Sequence, residues 1–419
     1  MLKFVHAADI HLDSPFVGLA EVSPDLQKLL CEATFKAFDN IIDLCLEERV
    51  DFLLVAGDIY DAKDRSLRAQ LRFRDGLKRL AEAGIRTFVV HGNHDPLDGW
   101  KAGLQWPGDV HVFGADRVES VVYERDGEAR AIIHGISFGK AEVRDNLAAR
   151  FSRQDSPLFQ IGLLHCNVGA NTGHENYAPC TRQDLERSGL DYWALGHVHN
   201  RQMLSERRPC VAYPGNTQSL RANESGPKGC LLVSVSDSGD VEPRFIPTDV
   251  VRRQSAEFSI ENITDIDGLF DKVSSCFSEV RGAADGRPTI CRLTIAGRGP
   301  MHSELSDPSR QEQYLDEIRE SGARLAPAVF IAEVKFKTRP DVDIDLRMKS
   351  QDIVGDCLRL VREQQSNGER LSELRGRLDD LLERREVRMY LGRFDDKALI
   401  EMLESAQSLL LDELLGDDE

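Results

Sequence analysis

Val55-Ala56-Gly57-Asp58-Ile59-Tyr60-Asp61 is the stretch whose reading decides the fold: an apolar run over residues 52–56 stops at a glycine and hands the chain to a carboxylate. A short continuous apolar run closed by a turn residue reads as a strand buried on both faces, the mark of a parallel sheet. Open α/β sheets bind ligands just beyond the carboxyl ends of such strands, which puts Asp58 at a binding edge. A carboxylate withdrawn from water needs a compensating partner. Backbone N–H groups in a cap or turn can serve, and so can a cation. The company Asp58 keeps favours the cation.

The same device recurs outward from this point. Residues 2–8 run into Asp9-Ile10-His11, residues 87–90 into His91-Gly92-Asn93-His94-Asp95, residues 160–164 into His165, and residues 192–195 into Gly196-His197-Val198-His199. A lone histidine after a strand is more often a satisfied structural group than a ligand. A series of such endings in chain order reads instead as one metal site delivered in pieces. Asp and Asn oxygens mixed with imidazoles, and no cysteine pair beside them, suit Mn, Fe or Zn rather than a thiolate-bound zinc or an all-oxygen calcium cage.

The ordered set Asp9-x-His11, Gly57-Asp58-x-x-Asp61, Gly92-Asn93-His94-Asp95, His165 and Gly196-His197-x-His199 resembles the calcineurin-like metallophosphoesterase superfamily. Within it, residues 7–12, Leu164-His165 and residues 192–199 resemble the SbcD-type DNA repair exonucleases, most of all their YhaO branch. The resemblance implies a two-metal-dependent DNA exonuclease or endonuclease with two divalent ions, Mn first and Fe or Zn as alternatives. One ion would be held by Asp9, His11, Asp58 and His199, the other by Asp58, Asn93, His165 and His197, with Asp58 shared. His94 would stabilise the phosphoryl transition state or protonate the leaving oxygen, and Asp95 would orient it. Some relatives carry a histidine where Asp61 stands, so Asp61 is expected behind the ligands. Protein-phosphatase chemistry fits less well, because the arginine-glycine that follows the second aspartate in those enzymes is replaced by Ala62-Lys63. A phosphodiesterase for small nucleotides and a scaffold that regulates an ATPase are the competing readings.

Further candidates lie off the strand ends. A helix opened by Asp64 or Ser66 carries Arg65, Arg68, Arg72, Arg74 and Lys78, which read as a solvated face or as a patch facing DNA; Arg65 is the one expected near substrate. His174 lies between His165 and His197 and could approach the metals, or could be an ordinary loop histidine.

The fold class expected is α/β (α+β): a sandwich of two mixed β-sheets flanked by helices over residues 1–249, a small α/β capping domain over 250–340, and C-terminal helices over 341–419 that bind a partner. Leu26, Leu30, Ala33, Ala37, Ile41 and Leu44 predict a core-facing helix begun at Ser23-Pro24. Thr181-x-x-Asp184 predicts a capped helix start. Residues 338–345 read as a linker. Beyond them Leu371, Leu374, Leu378 and Leu381, and then Leu399, Met402, Leu403, Ala406 and Leu410, predict a helical hairpin with no third layer of its own.

With 419 residues and 41% hydrophobic content, the chain can fill more than one core. No apolar run approaches the ~18 residues of a membrane span, and no leader pattern opens the chain, so a cytoplasmic protein is expected. Nine scattered cysteines argue for reduced buried thiols, with Cys166 a packing residue. The net charge of -18 is the wrong sign for a surface that holds DNA. DNA is nevertheless an expected partner. The resemblance also implies an SbcC- or YhaN-type ABC ATPase with a long coiled coil; a homodimer is included among the expected assemblies.

Overall fold

The computed structural model describes residues 1–14, 24–61, 66–99, 103–169, 175–366, 368–382 and 396–415. Contacts divide the chain into two compact units, each discontinuous in sequence. One comprises Met1–Ser255, Phe277–Arg292 and Ser321–Ala332, the other Ala256–Cys276, Leu293–Glu320 and Glu333–Glu419.

The first unit holds two six-stranded sheets. In one, β1 (Leu2–Ala7), β2 (Phe52–Ala56), β3 (Arg86–Val90) and β4 (Val110–Val112) run parallel. The strands β11 (Gly229–Val235) and β12 (Val241–Pro247) extend it antiparallel beyond β1, giving the order β12-β11-β1-β2-β3-β4. The other has the order β5-β6-β7-β8-β10-β9, built from β5 (Glu119–Arg125), β6 (Glu128–Ile136), β7 (Phe159–His165), β8 (Tyr192–Gly196), β9 (Gln202–Ser205) and β10 (Cys210–Tyr213). Its centre is parallel and its two outer pairs are antiparallel, so both sheets are mixed as expected.

Apolar residues on both faces of β1, β2 and β3 build two cores. Phe4, Phe52, Leu54 and Phe88 meet Tyr123, Ile133, Leu163 and Tyr192 between the sheets. Phe52 stacks on Phe4 at 5.1 Å between ring centroids and meets Tyr123 of the opposite sheet edge-on at 4.9 Å. Val5, Leu53, Val55 and Val89 face the other way, onto α1 (Pro24–Glu48) and α2 (Leu67–Glu82). The predicted stripe of α1 holds, with Ala33, Ala37 and Ile41 fully buried. Ser66 caps α2 by accepting from the Ala69 N–H at 3.0 Å. Trp193, Leu195, Val211 and Cys166 line the outer core of the second sheet with α3 (Arg182–Arg187), whose start is the predicted capping box at Thr181.

A three-stranded sheet, β13-β14-β15, is formed by Arg252–Ser259, Thr289–Arg298 and Val329–Arg339 with the helices α4 (Ile266–Ala283), α5 (His302–Leu305) and α6 (Pro308–Ala323). Two expectations change beyond it. The linker is shorter than expected: β15 continues through Arg339, and Asp343 caps a helical turn, α7 (Ile344–Arg347), by accepting from the Leu346 N–H. The hairpin also has a third member, because α8 (Ile353–Ser366) packs on both α9 (Gly368–Leu382) and α10 (Asp396–Leu415). Leu411, rather than Leu410, is the buried residue of α10 beside Val354 and Leu358. Leu360, Met402 and Leu409 remain exposed. Among the described residues no helix is long and apolar enough to cross a membrane.

Candidate metal centre

The carboxyl ends of β1, β2 and β3 in one sheet and of β7 and β8 in the other converge, and their last residues supply the site. The loops are tied together past the strands: the Asp9 N–H donates to Gly57 O at 3.1 Å, His11 N–H to Asp58 O at 3.0 Å, and Cys166 N–H to Gly196 O at 3.2 Å. Asp9, His11, Asp58 and His197 all have positive φ, of 50°, 46°, 50° and 102°. Backbone outside the common wells costs of order 1–3 kcal/mol per residue and concentrates at functional sites. Two glycines make room: a Cβ on Gly92 would sit 2.3 Å from Asp58 Oδ1, and one on Gly196 would sit 1.8 Å from Ala56 O.

Among the described residues, three sets of titratable groups come within reach of a shared cation: Asp9, His11 and His199; Asp9, Asp58 and His165; and His11, Asp61 and His94. The first two are buried. His11 Nε2 lies 3.2 Å from His199 Nε2 and 3.9 Å from Asp58 Oδ2, while His165 Nε2 lies 3.4 Å from Asp58 Oδ2. Asn93 Oδ1 joins the far side of this group, 3.0 Å from His165 Nε2 and 3.2 Å from His197 Nδ1. The structure therefore gathers Asp9, His11, Asp58, Asn93, His165, His197 and His199 in one place.

Electrostatics explains why a cation suits it. Burial pushes the Asp9 carboxyl up to about 6, against the pull of His165 and His199. Burial also works against ionised Asp58, but His165, His94 and His11 outweigh it and hold the group well below the usual carboxylate range. Burial drives His11 down to about 3, leaving a neutral imidazole with a lone pair to give. For His165 burial is outweighed by Asp58 and Asp9, which push it up to about 9.

His94 is held by residues other than the expected one. Its Nδ1 lies 3.2 Å from Asp61 Oδ1, and its backbone N–H donates to Asp58 Oδ1 at 2.9 Å. Burial opposes its charged form, but the Asp61 hydrogen bond and the Asp58 charge raise its pKa. The expectation that Asp95 orients His94 is corrected. Asp95, fully buried, accepts from the Ile59 N–H at 3.0 Å and the Gly92 N–H at 2.8 Å and pairs with His91 Nδ1 at 3.0 Å, so it clamps the β2 and β3 loops together.

Several neighbours carried no signal at the strand ends. Glu224, buried in the connection before β11, lies 2.7 Å from His199 Nδ1. The Lys228 ammonium donates to His199 O at 3.0 Å. Glu175 O lies 2.7 Å from His197 Nε2. The nearest sequence clue to Glu224 was a Glu within a polar turn, which is common anywhere. Arg65 and His174 lie outside the described residues. Three α2 arginines are paired with α1 acids at the surface, Arg68 with Glu32, Arg72 with Asp39 at 2.6 Å and Arg79 with Asp43 at 2.5 Å, which favours the solvated-face reading over a DNA patch.

Residues 2–201 match the Calcineurin-like phosphoesterase family, and residues 254–339 match the middle domain of the metallophosphoesterase YhaO. With the fold and site above, the chain belongs to the calcineurin-like metallophosphoesterases, as a metal-dependent phosphodiesterase hydrolase. It is 38% identical over 322 residues to the "Uncharacterized metallophosphoesterase YhaO" of Bacillus subtilis, covering 77% of this chain and 78% of that one. It is 28% identical to the "DNA double-strand break repair protein Mre11" of Thermoplasma acidophilum, over 73% of this chain and 80% of the relative. A component of the nuclease SbcCD of Rhodobacter capsulatus is also 28% identical, over 59% of this chain and 69% of the relative. Members of the family use a dinuclear divalent metal site, and the buried Asp and imidazole donors here, with the half-buried Asn93, fit such a pair by chemistry and by placement.

Proposed function

We propose that this chain hydrolyses DNA phosphodiester bonds with two divalent ions, Mn foremost, and works beside an SbcC- or YhaN-type ABC ATPase with a coiled coil. Asp9, His11, Asp58 and His199 would hold one ion, and Asp58, Asn93, His165 and His197 the other. When bound, the ions supply positive charge to the phosphodiester oxygens and acidify the attacking water. The protein's own part is to hold those donors rigidly on two sheets and to present His94, steadied by Asp61, as the acid for the leaving oxygen. The observation that carries the reading is the convergence of all seven ligand candidates and the His94–Asp61 pair where the carboxyl ends of the strands of the two sheets meet. The relatives named for DNA break repair and nuclease activity support DNA as substrate. Residues 1–249 would form the nuclease domain, 250–340 a cap that selects DNA form, and 341–419 the ATPase-binding part.

A phosphodiesterase for small nucleotides is the second reading. The net charge of -18 and the internal pairing of the α2 arginines favour it. Both readings are tested by stripping the full chain with a chelator, restoring Mn, and assaying single- and double-stranded DNA beside a nitrophenyl phosphodiester. Mn-dependent DNA cleavage is the expected result. Cleavage of the small ester alone would move the assignment to the second reading, and failure on both substrates would sink the two-metal mechanism.

A further inference from the structure

His199 is gripped from one short segment that contains none of the strand-end motifs. Its ring Nδ1 is 2.7 Å from Glu224 Oε1, and its carbonyl accepts from the Lys228 ammonium at 3.0 Å and from the Asn216 N–H at 3.2 Å. Glu224 and Asn216 are buried. The second oxygen of Glu224 is already committed: Oε2 accepts from the Leu220 N–H at 2.7 Å, the Arg221 N–H at 3.1 Å and the Asn216 amide at 2.9 Å. Fixed by three donors, the carboxylate cannot rotate away from the imidazole.

We propose that Glu224 is the positioning residue that fixes the ring and tautomer of His199, so that the Nε2 lone pair faces the metal centre; the inference rests on the proposed role of His199 as a ligand. A carboxylate held by three donors can only accept from the imidazole, so His199 carries its hydrogen on Nδ1 and donates it to Oε1. The lone pair is then on Nε2, the nitrogen that faces His11 Nε2 at 3.2 Å. Partners behind a metal-binding histidine set its tautomer and orientation, and their loss typically costs 10–100-fold in metal affinity. The His199 ring and the Leu220 and Arg221 N–H donors offset the burial of the negative charge on Glu224.

The geometry makes Glu224→Gln an unusually sharp test. The three donors around Oε2 select the amide oxygen for that position, which turns the NH2 toward His199 Nδ1. The amide then donates to Nδ1, moves the ring hydrogen to Nε2 and points it into the site. The turn keeps its hydrogen bonds while the ligand is lost. Mn uptake by the full-length chain is measured by calorimetry and bound-metal analysis for wild type, Glu224→Gln, Glu224→Ala and, as the reference for losing the ligand, His199→Ala. Thermal melts in chelator accompany each. Glu224→Gln should melt close to wild type yet lose Mn affinity by at least roughly 10–100-fold at one site, approaching His199→Ala. Glu224→Ala, which strips the turn of its acceptor, should melt lower but bind Mn better than the Gln variant. Binding of two ions by wild type, loss of one in His199→Ala and undiminished binding in both Glu224 variants would overturn the role of Glu224 alone. No Mn uptake by wild type, or uptake indifferent to His199→Ala, would overturn the metal reading and this role with it.

Discussion

His94 Nδ1 lies 3.2 Å from Asp61 Oδ1, although the two residues come from the loops after different strands, 33 positions apart. The carboxylate fixes which nitrogen of the ring carries hydrogen toward it, and in the proposed mechanism Nε2 would then face substrate. Replacing His94 by Ala should therefore leave Mn binding intact while turnover falls by roughly 10²–10⁴, the contribution of a positioned acid. Asp58→Ala should instead lose the metals. Metal analysis beside steady-state kinetics separates the two, and near-normal turnover in His94→Ala would remove the residue from the mechanism.

Asp61 and Asp95 should fail in different ways. Asp61→Asn weakens the hold on His94, so turnover should drop by about tenfold or more, by the arithmetic of ~1.4 kcal/mol per decade, with little change in melting temperature. Asp95→Asn unseats an acceptor of the Ile59 and Gly92 N–H groups. A buried group left with a mismatched partner costs about 1–3 kcal/mol, so this variant should show its loss in denaturation curves. The reverse pattern would restore Asp95 to the role first expected of it.

Gly92→Ala introduces a methyl group 2.3 Å from Asp58 Oδ1 and 2.8 Å from the His165 ring. Neither neighbour can retreat, since Asp58 also accepts from the His94 N–H and His165 Nδ1 lies 2.9 Å from Ala56 O. Mn uptake should fall sharply in a protein whose far-ultraviolet dichroism is unchanged. Full metal occupancy in this variant would show that the site has slack that these distances deny.

His6 lies buried between the sheets, 3.0 Å from the Tyr192 hydroxyl and 3.1 Å from Leu195 O. Burial pushes its pKa from 6.5 down to about 3. Between those values the unfolded chain binds a proton that the folded chain refuses, so stability present above the unfolded pKa is lost as pH falls through this window. The loss should reach about 2 kcal/mol near pH 5. Urea titrations across this range should show a steeper fall for wild type than for His6→Gln; parallel curves would mean that His6 is protonated in the fold.

If DNA is the substrate, a chain of net charge -18 whose Arg68, Arg72 and Arg79 on α2 are paired with α1 acids offers few groups to phosphates from that face. Isotherms at several salt concentrations should give weak binding and a shallow slope, because the slope counts neutralised phosphates. A steep slope would reveal a basic groove that the paired α2 face does not supply.

Much of the site was legible in the chain because its chemistry is local. Each apolar run ends at a ligand-capable residue, and a buried parallel strand must deliver whatever follows it to the sheet edge; Asp9, Asp58, Asn93, His165 and His197 could be read that way one strand at a time. The stripe of α1 and the capping box at Thr181 were equally local, set by helical period and by orphan N–H groups. What the tertiary structure decided are relations between segments that no periodicity links. Asp61 rather than Asp95 meets His94, because the adjacent carboxylate is drawn away by the Ile59 and Gly92 N–H donors. The α2 arginines point at Glu32, Asp39 and Asp43 because α1 packs beside them. Glu224 reaches His199 from 25 residues away. A carboxylate can satisfy its hydrogen bonds with almost any donor, and only the folded distances choose among them.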